Sequence, residues 1–69
     1  MQVIDARGLS CPEPVLLTKK IIDLHTHALF KVLVDEMAAC ENIAALAKNL
    51  GWSVSHDKTS DHIEITLQK

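Results

Sequence analysis

Apolar and polar positions along the chain switch between two periods, and each switch marks an element. Met1 to Asp5 reads as a short first strand. Arg7-Gly8-Leu9-Ser10 reads as a turn, in which Gly8 is free to take a backbone shape that other residues resist. From about Pro12 to about Thr26 the spacing is helical. At about 100° per residue, Val15, Leu17, Ile21, Ile22 and Leu24 fall on one half of the cylinder, and Lys19, Lys20 and Asp23 fall on the other. Leu16 sits among the charged residues, either as an ordinary exposed leucine or as part of a docking surface. Phe30 to Asp35 alternates as a strand, with Phe30, Val32 and Val34 on one face and Lys31, Leu33 and Asp35 on the other. A second helix spans roughly Met37 to Leu50 with the stripe Ala39, Ile43, Leu46, Ala47 and Leu50, and Gly51 supplies its stop. A hairpin closes the chain. Trp52, Val54 and His56 share one face of its first strand, Ile63, Ile65 and Leu67 share one face of its second, and the polar run Asp57 to Asp61 is the turn.

The order is therefore β-α-β-α-β-β, an α+β chain. Right-handed crossovers place both helices on one side of the sheet, giving a two-layer α/β sandwich with one sheet face open. The strict alternation in the closing strands agrees, because a sheet covered on both faces reads as continuous apolar runs. With 69 residues and no linker or repeat, residues 1–69 are expected to form a single domain.

Composition narrows the function. Two cysteines, Cys11 and Cys40, are too few for the disulfide scaffold of a small secreted domain. The N-terminal residues lack a basic stretch running into a long apolar one, so neither a signal peptide nor a membrane span is expected, and the reading is a cytoplasmic protein with reduced thiols. A net charge of −2 without a block of like charges argues against direct nucleic-acid binding.

The chemically informative stretch is Ser10-Cys11-Pro12-Glu13-Pro14. Two helix starts compete. With Ser10 as N-cap, Ser10 and Glu13 form a capping box, but Pro14 then forfeits the first intrahelical hydrogen bond. With Cys11 as N-cap, Pro12 and Pro14 occupy the first and third helical positions, where their missing N–H groups have no helical partner in any case. A residue before proline is also pushed towards the extended shape of an N-cap. The second register is preferred. It puts the Cys11 sulfur where helix N-termini stabilise anions, with the Glu13 N–H as the nearest available donor, and such placement raises the thiolate fraction. Glu13 opposes this by its charge and Arg7 can offset it.

Asp5-Ala6-Arg7-Gly8-Leu9-Ser10-Cys11-Pro12-Glu13-Pro14-Val15, followed by Thr18-Lys19-Lys20, resembles the signature of the TusA/SirA-like sulfur-carrier family. Val34-Asp35, Glu41-Asn42-Ile43 and Gly51-Trp52 extend the resemblance over the whole chain, which is most similar to the first domain of YedF-type proteins, a type associated with selenium metabolism. The resemblance implies a mixed four-stranded sheet. It also implies that Cys11 accepts persulfide sulfur from a donor protein such as a cysteine desulfurase and relays it to an acceptor protein, as a carrier rather than a stand-alone multi-turnover enzyme. Asp5, Arg7, Gly8, Pro12, Glu13 and Pro14 then support the motif turn, and no cofactor or metal is called for. The second helix and hairpin depart from the member that serves tRNA thiolation.

The residues themselves agree with a carrier. Sulfur relay needs one accessible nucleophilic thiol, and the absence of Cys-x-x-Cys disfavours a dithiol cycle. Cys40, near the start of the second helix, reads as a packing residue, with a resolving role as the alternative. His25, His27, His56 and His62 lack metal-ligand spacing and read as solvated. Lys19, Lys20 and Leu16 are candidates for partner docking. A competing reading is a non-catalytic interaction or regulatory module that uses the open sheet face around Leu33.

Overall fold

The alternation centred on Phe30, Val32 and Val34 becomes the middle of the sheet, and everything else is arranged around it. The computed structural model describes residues 2–9, 12–24 and 28–69; Met1, Ser10, Cys11, His25, Thr26 and His27 lie outside the described residues. The elements run β1 (Gln2–Asp5), α1 (Glu13–Asp23), β2 (Leu29–Val34), α2 (Met37–Asn49), β3 (Ser53–Lys58) and β4 (Ile63–Gln68). The four-stranded sheet has the order β1-β2-β4-β3. β1 runs parallel to β2, and β4 runs antiparallel to both β2 and β3, so the sheet is mixed. It follows that β3 points the same way as β2, with β4 inserted between them.

Alternation decides which sheet face is buried. Phe30 pairs with Leu67 and Val32 with Ile65, and all four side chains are fully buried. With Val34 and Ile63 they join Ile22 of α1 and Cys40, Ile43 and Ala47 of α2 in one core cluster, which places both helices on the same sheet face. Phe30 and Trp52 meet edge-to-face with ring centroids 5.5 Å apart, and the Lys69 ammonium lies 5.9 Å from the Trp52 ring. The opposite face carries Lys31 and Glu64, paired at 3.3 Å.

Helix α2 ends as Gly51 predicts. Gly51 has φ +86°, its N–H donates to the Lys48 carbonyl, and the Trp52 N–H donates to the Ala47 carbonyl, the paired bonds of a Schellman cap.

Several boundaries differ from the sequence reading, each for a physical reason. Helix α1 begins at Glu13 with Pro12 as its N-cap, not at Pro12 with Cys11 as the cap. Either register leaves both prolines at positions whose N–H is dispensable, so proline placement does not discriminate; the Leu16 N–H bond to the Pro12 carbonyl, 3.1 Å, fixes the start. The helix ends at Asp23, short of the expected Thr26, and Leu24 becomes an exposed C-cap instead of a core residue. Thr18 takes a core place that its polarity concealed: it is fully buried, and its hydroxyl donates to the Pro14 carbonyl at 2.9 Å. Leu50, expected in the α2 stripe, is likewise exposed at the cap. Strand β2 runs from Leu29 to Val34, one residue earlier than expected, which frees Asp35 from the ladder. Strand β3 continues through Asp57 and Lys58, whose polarity reads as turn in the sequence; the turn proper is closed by the Thr59 N–H bond to the His62 carbonyl, 2.8 Å. An edge strand needs no apolar outer residues, so its polar tail mimics a loop in sequence.

Candidate functional site at the exit of β1

The backbone leaving β1 is fixed amide by amide. The Ala6 N–H continues the parallel ladder to the Leu33 carbonyl at 2.9 Å, and the Ala6 side chain is buried. The Leu9 N–H reaches back to the Ala6 carbonyl at 3.4 Å, and Gly8 between them has φ +80°. That is the pattern of a type II turn, whose third position favours glycine. A Cβ at Gly8 would meet no atom within 4 Å. Gly8→Ala is therefore expected to cost backbone strain alone, about 1 kcal/mol in chemical denaturation.

Asp5 and Arg7 form the first clamp on this turn. The Arg7 guanidinium donates to both Asp5 oxygens, Nε to Oδ1 and Nη2 to Oδ2 at 3.0 Å each, and the Arg7 N–H adds a bond of 3.1 Å to Oδ1. The arginine is thus neutralised within its own turn rather than directed at Glu13. The side-chain bonds from Arg7, then its backbone N–H, hold the Asp5 carboxyl down to about 2 from an ordinary 3.8. Because the folded value lies below the unfolded one, the stabilisation is fully present above pH 3.8 and is lost as pH falls towards 2. A carbon-detected NMR titration is expected to place the Asp5 midpoint near 2 and, in Arg7→Met, to move it up towards 3.8.

A second clamp comes from across the sheet. The Gly8 N–H donates to Asp35 Oδ2 at 2.5 Å, over a separation of 27 residues. The supporting residue that sequence reasoning missed is therefore Asp35. The available signal was topological: parallel strands end on the same side, so an acidic residue just after β2 lies beside whatever follows β1.

Helix α1 starts at Glu13, four residues after Leu9 closes this turn. Pro12, its N-cap, is exposed with φ −101° and ψ 20°, Glu13 is exposed at the first helical position, and Pro14 is buried beneath them. The Glu13 N–H has no intrahelical partner at this position, and the positive end of the helix dipole lies at Pro12 and Glu13. Cys11, bonded directly to the Pro12 nitrogen, lies outside the described residues. Between the turn and the two helix starts is a cleft of about 220 Å³, lined among others by Ala6, Leu9, Pro14 and Val34 and by the carboxylate-bearing Asp35 and Glu36.

Comparison with known proteins decides the family. The profile described as Sulfurtransferase TusA matches residues 2–69. The sulfur carrier protein TusA of Pseudomonas syringae pv. tomato is 42% identical over 60 residues, covering 86% of this chain and 71% of the relative. A putative sulfur carrier protein of Methanocaldococcus jannaschii is 35% identical over 71 residues, covering 100% of this chain and 95% of the relative. A crystal structure of a SirA-like protein from Desulfitobacterium hafniense superposes with a TM-score of 0.89 at 32% identity, covering 99% of this chain and 96% of the other.

The chain belongs to the TusA sulfurtransferase family.

Its function is that of a sulfur carrier in sulfur relay, which implies a donor and an acceptor protein on either side of it. No described helix is long and apolar enough to cross a membrane.

The remaining candidate residues separate under this function. Leu16 is 60% exposed on α1, and Leu9 and Met37 at the starts of the motif and of α2 are exposed as well. Lys19 pairs with Asp23 at 2.7 Å one helical turn away, whereas Lys20 makes no ion pair with a described residue. Cys40 is 1% exposed within the core, and burial, with Glu41 nearby, pushes its thiol pKa up. A buried thiol with a raised pKa is a poor nucleophile, so Cys40 is a packing residue here. His56 is exposed on β3, while His62 lies on the other side of the hairpin between Asp61, at 2.8 Å, and Glu64, at 3.4 Å. His25 and His27 lie outside the described residues.

Proposed function

We propose that Cys11 is the residue on which this carrier bears its sulfur, as a persulfide. One observation carries the reading: of the two cysteines, Cys40 is sealed in the core with its thiol held protonated, and that leaves the thiol of the Cys-Pro-Glu-Pro motif. The start of α1 favours it further, since Cys11 directly precedes the N-cap and the dipole of an 11-residue helix.

In the transfer step, the Cys11 thiolate attacks the outer sulfur of a persulfide on the donor protein. The donor's sulfur–sulfur bond breaks, its cysteine leaves as a thiolate, and a new sulfur–sulfur bond forms on Cys11. No net oxidation or reduction occurs. Passage to the acceptor is the same exchange in reverse roles. Asp5, Arg7 and Gly8 hold the approach to the thiol, and Pro12 and Pro14 stiffen it. Leu16 with Lys20, and Lys19 once released from Asp23, contribute to docking. The donor is of the cysteine desulfurase class, the setting is the reducing cytoplasm, and the protein turns over only between its two partners. Incubation with a cysteine desulfurase and cysteine, followed by intact mass analysis, is expected to show one added sulfur atom that a thiol reductant removes. No adduct with any desulfurase tried would contradict the reading.

A further inference from the structure

We propose that Asp35 is a positioning residue for the turn that precedes Cys11: its carboxylate holds the Gly8 amide and so fixes the backbone from which the Cys11 segment departs. The proposal rests on Cys11 as the sulfur-bearing residue.

Four successive amides lead out of β1, and their acceptors show what each contributes. Ala6 is held by the sheet ladder, Arg7 by the neighbouring Asp5 carboxylate, and Leu9 by the turn's own closing bond. That closing bond is 3.4 Å, beyond the usual range of about 2.7–3.2 Å for N–H to oxygen. The turn is therefore weakly closed by itself. Gly8 has no side chain with which to anchor, and its φ of +80° is one of several conformations open to glycine. Its amide is the one in this segment held by a side chain from outside residues 5–9, and that side chain is Asp35. Ending β2 at Val34 releases Asp35 from the ladder at the side of the sheet where parallel β1 also ends. A carboxylate accepting a backbone N–H is a charge-assisted bond, stronger than the neutral bonds around it.

Asp35 also brings a negative charge to the motif, which is the rival account. The two make opposite predictions for asparagine, which keeps an acceptor oxygen and removes the charge. If Asp35 positions the turn, Asp35→Ala loads sulfur from a cysteine desulfurase about tenfold more slowly, equivalent to about 1.4 kcal/mol, and Asp35→Asn stays within about threefold of the parent. Alkylation of Cys11 by iodoacetamide, a small reagent that needs no docking, keeps its rate and pH profile in both variants. The Gly8 amide proton resonance shifts in Asp35→Ala and is largely restored in Asp35→Asn. Asp35→Leu replaces the alanine variant if that variant does not fold. Loading of Asp35→Ala within twofold of the parent overturns the proposal. So does Asp35→Asn loading as slowly as alanine, or alkylation falling in parallel with loading. Failure of the Cys11 reading is visible separately, as a parent protein that takes up no sulfur or a Cys11→Ser variant that still does.

Discussion

Phe30→Ala is expected to lower the thermal midpoint by about 12–40 °C, one of the largest effects of a single core truncation in this fold. Phe30 is fully buried at the centre of β2, opposite Leu67, and is the edge-to-face partner of Trp52. Truncating a buried phenylalanine costs about 3–5 kcal/mol through lost transfer energy and the cavity left behind. A domain of this size has roughly 3–10 kcal/mol of stability in total, so the loss takes a large share of it. At about 4–8 °C per kcal/mol for so small a domain, the shift is readily measured by circular dichroism. Few residues can compensate, because Phe30 and Trp52 are the whole aromatic complement. Trp52 fluorescence is expected to change in the folded variant, as its packed ring loses a neighbour. A midpoint within a few degrees of the parent would mean that the core is not centred on β2.

The elements that were legible in the sequence are those whose side chains meet a strong physical demand. Strands β2 and β4 must bury alternate residues, so Phe30, Val32 and Val34 and Ile63, Ile65 and Leu67 announce both the strand and its buried face. Gly51 announces the end of α2 because few residues other than glycine accept its φ of +86°. Where the demand is weak, the signal fails. The outer half of β3 is polar because an edge strand is free to be, and composition alone reads it as a turn. Thr18 hides in the core because its hydroxyl is satisfied within its own helix. At the site, the local motif was legible and the long-range support was not: the Asp5–Arg7 clamp spans two residues, whereas the Asp35 bond to Gly8 spans 27. The helix start moved by one residue because the two prolines are tolerated in either register.

Cys11→Ser is expected to abolish sulfur loading altogether, whereas Cys40→Ala leaves it intact. The two cysteines differ in what surrounds them. Serine at position 11 preserves the size of the motif side chain but lacks a sulfur to form the new bond. Cys40 contributes packing, so its truncation to alanine lowers stability modestly and leaves the relay chemistry in place. Because Cys40 is buried with a raised pKa, it is also a poor candidate for resolving a persulfide on Cys11. Peptide mapping under mild oxidant without reductant is accordingly expected to yield no Cys11–Cys40 link.

The most direct test of the account is to locate the sulfur itself. The unmodified protein is loaded with a cysteine desulfurase and cysteine, blocked with an alkylating agent, cleaved, and read by tandem mass spectrometry. The account predicts the added sulfur on the peptide that contains Cys11 and none on the peptide that contains Cys40. Sulfur on Cys40, or on neither, would contradict it.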